Sequence, residues 1–148
     1  MNIEAQLADF TINSRPSVDA LALMRLSLLD WAACGIAGRE EPLALILRDK
    51  GIAEGGKSEA SVIGGGKLPA PRAALINGAI SHALDYDDTH FAHFGHTSVG
   101  VIPAALAVAE RVGAGFDDFL AACLIGSEGA VRVGVWLGRD HYQVGYHQ

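Results

Sequence analysis

From residue 18 to residue 38 the apolar positions Leu21, Met24, Leu28, Trp31 and Gly35 recur at steps of three and four, the spacing that lines one side of a helix. Ser17, just ahead, carries a hydroxyl suited to an N-cap. Leu23, Leu26, Leu29, Ala33 and Ile36 extend the apolar surface around the cylinder, so the pattern predicts a helix buried on most sides, with Asp30 in need of a partner. A second, shorter helix is predicted over residues 42–49, opened by Pro42 and stopped at Gly51. Residues 55–68 are Gly-rich and irregular. Pro71 then opens a helix from residue 72 to about 84, in which Ala74, Gly78 and Ala83 leave room for close approach by a neighbour. Residues 99–112 read as helix, with Pro103 near the start and Gly113 and Gly115 as the stop. Asp117 and Asp118 mark the first turn of a last helix reaching Gly138, and its Ala122, Gly126, Ala130 and Gly134 form a strip of small residues suited to tight helix contact. No window alternates for long enough to predict a strand, the nearest being residues 60–63. The expectation is an all-α helical bundle with one Gly-rich irregular excursion.

The 148 residues, 50% hydrophobic and 19% charged, exclude a disordered tail and a coiled rod, and fit one compact domain. A net charge of −6 argues against a binder of nucleic-acid backbone or of an anionic membrane surface. Cys34 and Cys123 lie far apart outside any CxxC or zinc spacing and read as reduced core residues. The acidic start MNIEAQLADF lacks the basic and apolar regions of a signal peptide, and no run of about 18 residues is free of charge and Pro. A soluble, cytoplasmic protein with no membrane or nucleic-acid partner is expected.

The stretch from Gly51 to Ser58 matches the phosphate-loop pattern G-x4-G-K-S letter for letter. A phosphate loop needs a strand before it and a long helix from the Lys. Here Gly64, Gly65 and Gly66 follow within a short distance of Lys57, so a flexible turn is predicted.

The chemistry concentrates in His82-Ala-Leu-Asp85-Tyr86-Asp87-Asp88-Thr89-His90-Phe-Ala-His93-Phe-Gly-His96, which holds four of the six histidines and three carboxylates. If the helix persisted one turn further, Asp85 and Thr89 would share a side, with His82 three residues before Asp85. An imidazole moves its proton near neutral pH and a carboxylate beside it fixes its tautomer, so acid/base work is one reading. A solvated polar loop accounts for Asp87, His90 or His93 individually, but not for the interleaved Tyr, Phe and Gly. A metal shell of His90, His93 and His96 with Asp85, Asp87 and Asp88 is the competing chemical reading; no HExxH supports it, and neither a metal nor a cofactor is expected.

Read together, Ala60-Ser-Val-Ile-Gly-Gly, the run from Lys67-Leu-Pro-Ala-Pro-Arg through Asn77-Gly78 to Asp85-Tyr-Asp-Asp-Thr89-His, and Ile102-Pro-Ala-Ala-Leu-Ala-Val-Ala-Glu110 resemble the MmgE/PrpD family. That family includes 2-methylcitrate dehydratase, cis-aconitate decarboxylase and an iminodisuccinate epimerase, which act on small polycarboxylates without a required metal. The resemblance implies a large helical domain paired with a smaller α+β domain, in homodimers. It places Asp85 and Thr89 in the family's DxxDT-type active-site stretch and His96 on a histidine that the family follows with Pro-Ser, where this chain has Thr97-Ser98; His93 is the alternative. Gly145-Tyr146-His147 resembles a Gly-aromatic-His whose imidazole faces substrate.

What the resemblance implies for chemistry is 2-methylcitrate dehydration first, with cis-aconitate decarboxylation or iminodisuccinate epimerisation beside it. His96 and His147 would carry protons or stabilise charge, Asp85 would tune an imidazole, and Thr89 and His96 would bind substrate. The family's catalytic lysine and second domain belong to later segments, so residues 1–148 are expected to be a partial helical domain: a fragment, a split gene product or a truncated relative. A homo-oligomer or a complementary carboxy-terminal part is the expected partner. A non-catalytic helical association module is the alternative of another class. An acidic chain sits uneasily with a triply negative substrate, and the nearest basic residues, Lys67 and Arg72, read as surface solubility.

Overall fold

The structure, a computed structural model, describes residues 2–145. Among them, helices α1 (Ile3–Asn13), α2 (Val18–Gly38), α3 (Pro42–Glu54), α4 (Ala70–His82), α5 (Thr97–Val112), α6 (Phe116–Leu137) and α7 (Asp140–Gln143) are interrupted by one antiparallel hairpin, β1 (Ala60–Ser61) with β2 (Lys67–Leu68). The fold is all-α, as the periodicity predicts. Ser17 caps α2 by accepting from the Ala20 N–H at 3.2 Å. Helix α3 runs past the predicted stop through a buried Gly51, where a Cβ would meet the tips of the Leu68 and Ile76 side chains at 2.7 and 2.9 Å. The hydrophobic pattern carried no signal for α1, whose Phe10 ring lies beneath the Arg132 guanidinium of α6 at 4.5 Å.

The Gly-rich excursion is the hairpin, and buried side chains pin it. Asn77 of α4, 1% exposed, accepts from the Ile63 N–H at 2.8 Å and donates to the Ser61 carbonyl at 2.9 Å. Glu110 of α5 accepts from the Ser61 N–H at 2.6 Å and sits 3.6 Å from Lys67 Nζ. Glu59 accepts from Ala70 N–H at the start of α4, and that bond holds its carboxyl below the usual range. The phosphate-loop look-alike is therefore the end of α3 plus an exposed turn: Lys57 pairs with Glu59, and β1 follows where a helix would be needed. Arg72 is no bland surface residue, since it bonds the Gly51 and Gly55 carbonyls and pairs with Glu54 at 2.9 Å.

Two hydrophobic clusters meet at Ile63. One joins the hairpin and α4 through Ala60, Leu68, Ile76 and Ile80; the other joins α2, α5 and α6 through Met24, Trp31, Ile102, Leu120 and Cys123. Each fully buried Ile or Leu among them contributes about 1.5–3 kcal/mol. The expectation that α2 is buried on most sides is overturned. Leu23, Leu26, Leu29 and Ile36 face outward, each more than half exposed, and Asp30 is exposed and needs no buried partner. Helices α2 and α6 have the length and apolar content to cross a membrane, yet Arg25 and Asp30 interrupt one and Glu128 and Arg132 the other.

Glycines set the closest contacts. A Cβ at Gly38 would strike the Ile80 carbonyl of α4, whereas one at Gly129 in α6 would meet nothing. Gly129→Ala is expected to raise stability toward 25 °C by up to about 1 kcal/mol through helix propensity, and Gly38→Ala to lower it despite the same gain; urea unfolding midpoints check both.

Both cysteines are free and buried. Burial pushes the Cys34 thiol up and the Cys123 thiol up to about 12. The Cys123 contribution to stability is thus complete below the ordinary thiol pKa of about 9 and is lost as pH rises toward 12. Iodoacetamide at pH 8.5 is expected to leave Cys123 unmodified in the folded chain and to alkylate it in urea, as read by mass spectrometry.

Candidate active site

Helix α4 ends on His82, and the chain turns back at once. The Asp85 N–H donates to the His82 carbonyl at 3.0 Å, and Asp85 itself adopts a left-handed φ of 55°, a conformation Asp tolerates better than most residues. The further helical turn that would put Asp85 and Thr89 on one side does not form. A loop over residues 83–96 replaces it. Within the loop His90 and Gly95 form an isolated bridge, closed by Phe94 at φ 58°. Asp88 fastens the far end by accepting from the Ser98 N–H at 3.1 Å and the Ser98 hydroxyl at 2.5 Å, which brings a carboxylate to the positive start of α5.

The loop does bring the predicted residues together, though by other means than a helix. His82, Asp85, Thr89, Phe91, Phe94, Gly95, His96, Val99 and Tyr142 line one open hollow of about 750 Å³. His96, rather than His93, faces it; His93 is buried and outside its lining. His147 lies outside the described residues.

Asp87 is the residue the sequence reading misplaced. Grouped there with residues a solvated loop would explain, it is 4% exposed and lies under both imidazoles. His82 Nδ1 is 2.8 Å from its Oδ1 and His96 Nδ1 is 2.9 Å from its Oδ2, while the His96 Nδ1 hydrogen-bond direction meets the Asp87 carbonyl oxygen at 3.2 Å. On the opposite edge, His96 Nε2 is 3.5 Å from Asp85 Oδ1. The two rings stack edge to face with centroids 4.8 Å apart. Nothing in the alternation of residue types marks Asp87 as buried, because its neighbours Tyr86 and Asp88 are polar and the loop has no period.

One donor atom from each of His82, Asp85, Asp87 and His96 falls within 4.8 Å of the others, a set chemically suited to a divalent cation. This set differs from the His90/His93/His96 shell considered from spacing: neither His90 nor His93 joins it. His82 Nδ1 is engaged by the Asp87 carboxylate and His96 Nδ1 by the Asp87 main-chain carbonyl. The Arg139 guanidinium stacks 4.0 Å over Phe94, a residue of the lining to which Arg139 itself does not belong.

Removing the Asp88 carboxylate strips α5 of two first-turn contacts. Asp88→Ala is expected to cost about 0.5–2 kcal/mol, and Ser98→Ala less because the backbone donor remains; thermal unfolding followed by circular dichroism checks the order.

Comparison with known proteins supplies the family. Residues 4–148 match the model of the MmgE/PrpD N-terminal domain. A cis-aconitate decarboxylase-like protein of Aspergillus oryzae is 33% identical over 161 aligned residues, covering 99% of this chain and 33% of that protein. The chain thus spans a third of the length of this relative, and it belongs to the MmgE/PrpD family.

Proposed function

We propose that this chain carries the amino-terminal part of a lyase site for a small polycarboxylate, in which imidazoles move a proton at a carbon beside a substrate carboxylate. One observation carries the reading: Asp85, Thr89 and His96 border a single hollow, with a buried carboxylate behind the His96 ring. In a dehydration, a base removes the proton next to a carboxylate and an acid protonates the departing hydroxyl. In a decarboxylation, the carbon that loses carbon dioxide gains a proton. His96 is the proton carrier in either case. Asp85 orients it from the Nε2 side, and the Thr89 hydroxyl donates to a substrate carboxylate. His147 is the second proton carrier by family resemblance.

The leading substrate from resemblance is 2-methylcitrate, and the name of the Aspergillus relative sets cis-aconitate beside it. Either substrate is strongly anionic, and Lys67 and Arg72 are committed to Glu110 and Glu54. Arg139, stacked on Phe94, is the cation proposed to draw the substrate in. The lysine the family uses belongs by resemblance to a later, carboxy-terminal part.

A second reading, a helical association module without catalysis, is favoured by the outward apolar residues Leu23, Leu26 and Leu29 of α2 and Val135, Trp136 and Leu137 of α6. Turnover of 2-methylcitrate and cis-aconitate by the purified chain, alone and mixed with the carboxy-terminal two-thirds of a family member, separates the two. The lyase reading expects turnover in the mixture, reduced about 10²–10⁴-fold by His96→Ala, with a raised KM for Arg139→Ala. Stable association of the two pieces without turnover of any polycarboxylate favours the module.

A further inference from the structure

We propose that Asp87 is a positioning residue that fixes two imidazoles at once, holding His82 and His96 in the same Nδ1–H tautomer so that His82 offers a second proton acceptor beside His96. The inference deepens the acid/base reading above and rests on it for the catalytic consequence, but its structural content stands apart.

The geometry leaves little freedom for the protons. An ionised carboxylate only accepts, and Asp87 Oδ1 lies 2.8 Å from His82 Nδ1; Oδ2 is 2.9 Å from His96 Nδ1 but makes no hydrogen bond. The His96 Nδ1–H donates instead to the Asp87 main-chain carbonyl at 3.2 Å. A lone pair on either Nδ1 would face an oxygen lone pair inside a buried pocket, where such repulsion is poorly screened. Both Nδ1 atoms therefore carry hydrogen, and the neutral rings keep their lone pairs on Nε2, at the edge away from Asp87. His82 borders the hollow with nearly half of its side chain exposed, so its Nε2 is reachable from solvent. When His96 is protonated at Nε2, the added hydrogen faces Asp85 Oδ1 at 3.5 Å; His82 has no such carboxylate on its outer edge among the described ion pairs. The two rings share Asp87 as a partner and differ at the outer edge.

The Asp87 side chain is 0% exposed, so its charge depends on the neighbouring rings: His82 Nδ1 at Oδ1 and the His96 ring beside Oδ2. Asp85 cannot take this part, since its side chain is 77% exposed and touches only the outer edge of His96.

The test reads the ring nitrogens directly. Long-range proton–nitrogen correlation spectra of the 15N-labelled chain, at alkaline pH where imidazoles are neutral, give the tautomer of each histidine; His82→Gln and His96→Gln assign the signals. The expected result is Nδ1–H for both His82 and His96. In Asp87→Ala the side-chain acceptor is gone and the main-chain carbonyl remains, so His82 is expected to move to the Nε2–H form while His96 keeps Nδ1–H and circular dichroism stays unchanged. An Nε2–H tautomer for either ring in the unsubstituted chain overturns the proposal even if Asp87→Ala does not fold. Retention of Nδ1–H by His82, or its loss by His96, in a folded Asp87→Ala chain also overturns it. In the preparation that turns over substrate, Asp87→Ala is expected to lower kcat at least tenfold with KM within about twofold. Unchanged kcat with altered tautomers would reject the catalytic reading and leave the positioning intact.

Discussion

The approach of α4 to α5 at Gly78 is the constraint on which the site depends. Pro103 has no N–H to offer the carbonyl four residues earlier, so the Val99 carbonyl is released from the α5 ladder and turns toward α4. Gly78 meets it there, and a Cβ would come within 2.9 Å of that oxygen. A proline and a glycine on different helices thus create one close crossing. His82 lies one turn beyond Gly78 at the end of α4, and His96 one turn before Val99 at the start of α5. Helix packing, not loop conformation, brings the two rings to 4.8 Å.

The loop buries Asp87 beneath the two imidazoles, where its carboxylate meets His82 Nδ1 and its carbonyl meets His96 Nδ1. The left-handed turn at Asp85 is what lets the chain reverse sharply enough to tuck Asp87 inward while leaving Asp85 outside. Asp88 then ties the loop to Ser98, so the same three consecutive-but-one carboxylates take three different jobs: outer partner, buried partner and helix cap. Such division of labour among neighbouring Asp residues follows from backbone direction and leaves no trace in residue type.

This explains what could and could not be read from residue order. The helices from α2 to α6 announce themselves because apolar spacing, caps and glycine stops are local, and Gly78 was legible as a place of close approach for the same reason. The convergence of Asp85, Thr89 and His96 was legible through the density of titratable groups and the family resemblance, although the helical continuation invoked for Asp85 and Thr89 does not exist. Asp87 was not legible, because its burial depends on where α5 lies. Arg72 was misread for a similar reason: its partners, the Gly51 and Gly55 carbonyls and Glu54, are supplied by the end of α3, which ran further than its glycine suggested.

The outward apolar face of α2 and the open hollow both leave apolar side chains in contact with water. Phe91 stands 80% exposed at the hollow's edge and Tyr142 45% exposed, so water reaches the Asp85–His96 pair freely. Electrostatic stabilisation of charge growing on a substrate carboxylate needs a drier setting, in which fixed dipoles are not competing with solvent. The alignment of His82 and His96 on Asp87 lies within the described residues, whereas His147, the second proton carrier proposed, lies outside them. The low dielectric that would make that alignment effective depends on whatever covers Phe91 and the hollow's mouth, and the two requirements can be lost or restored independently.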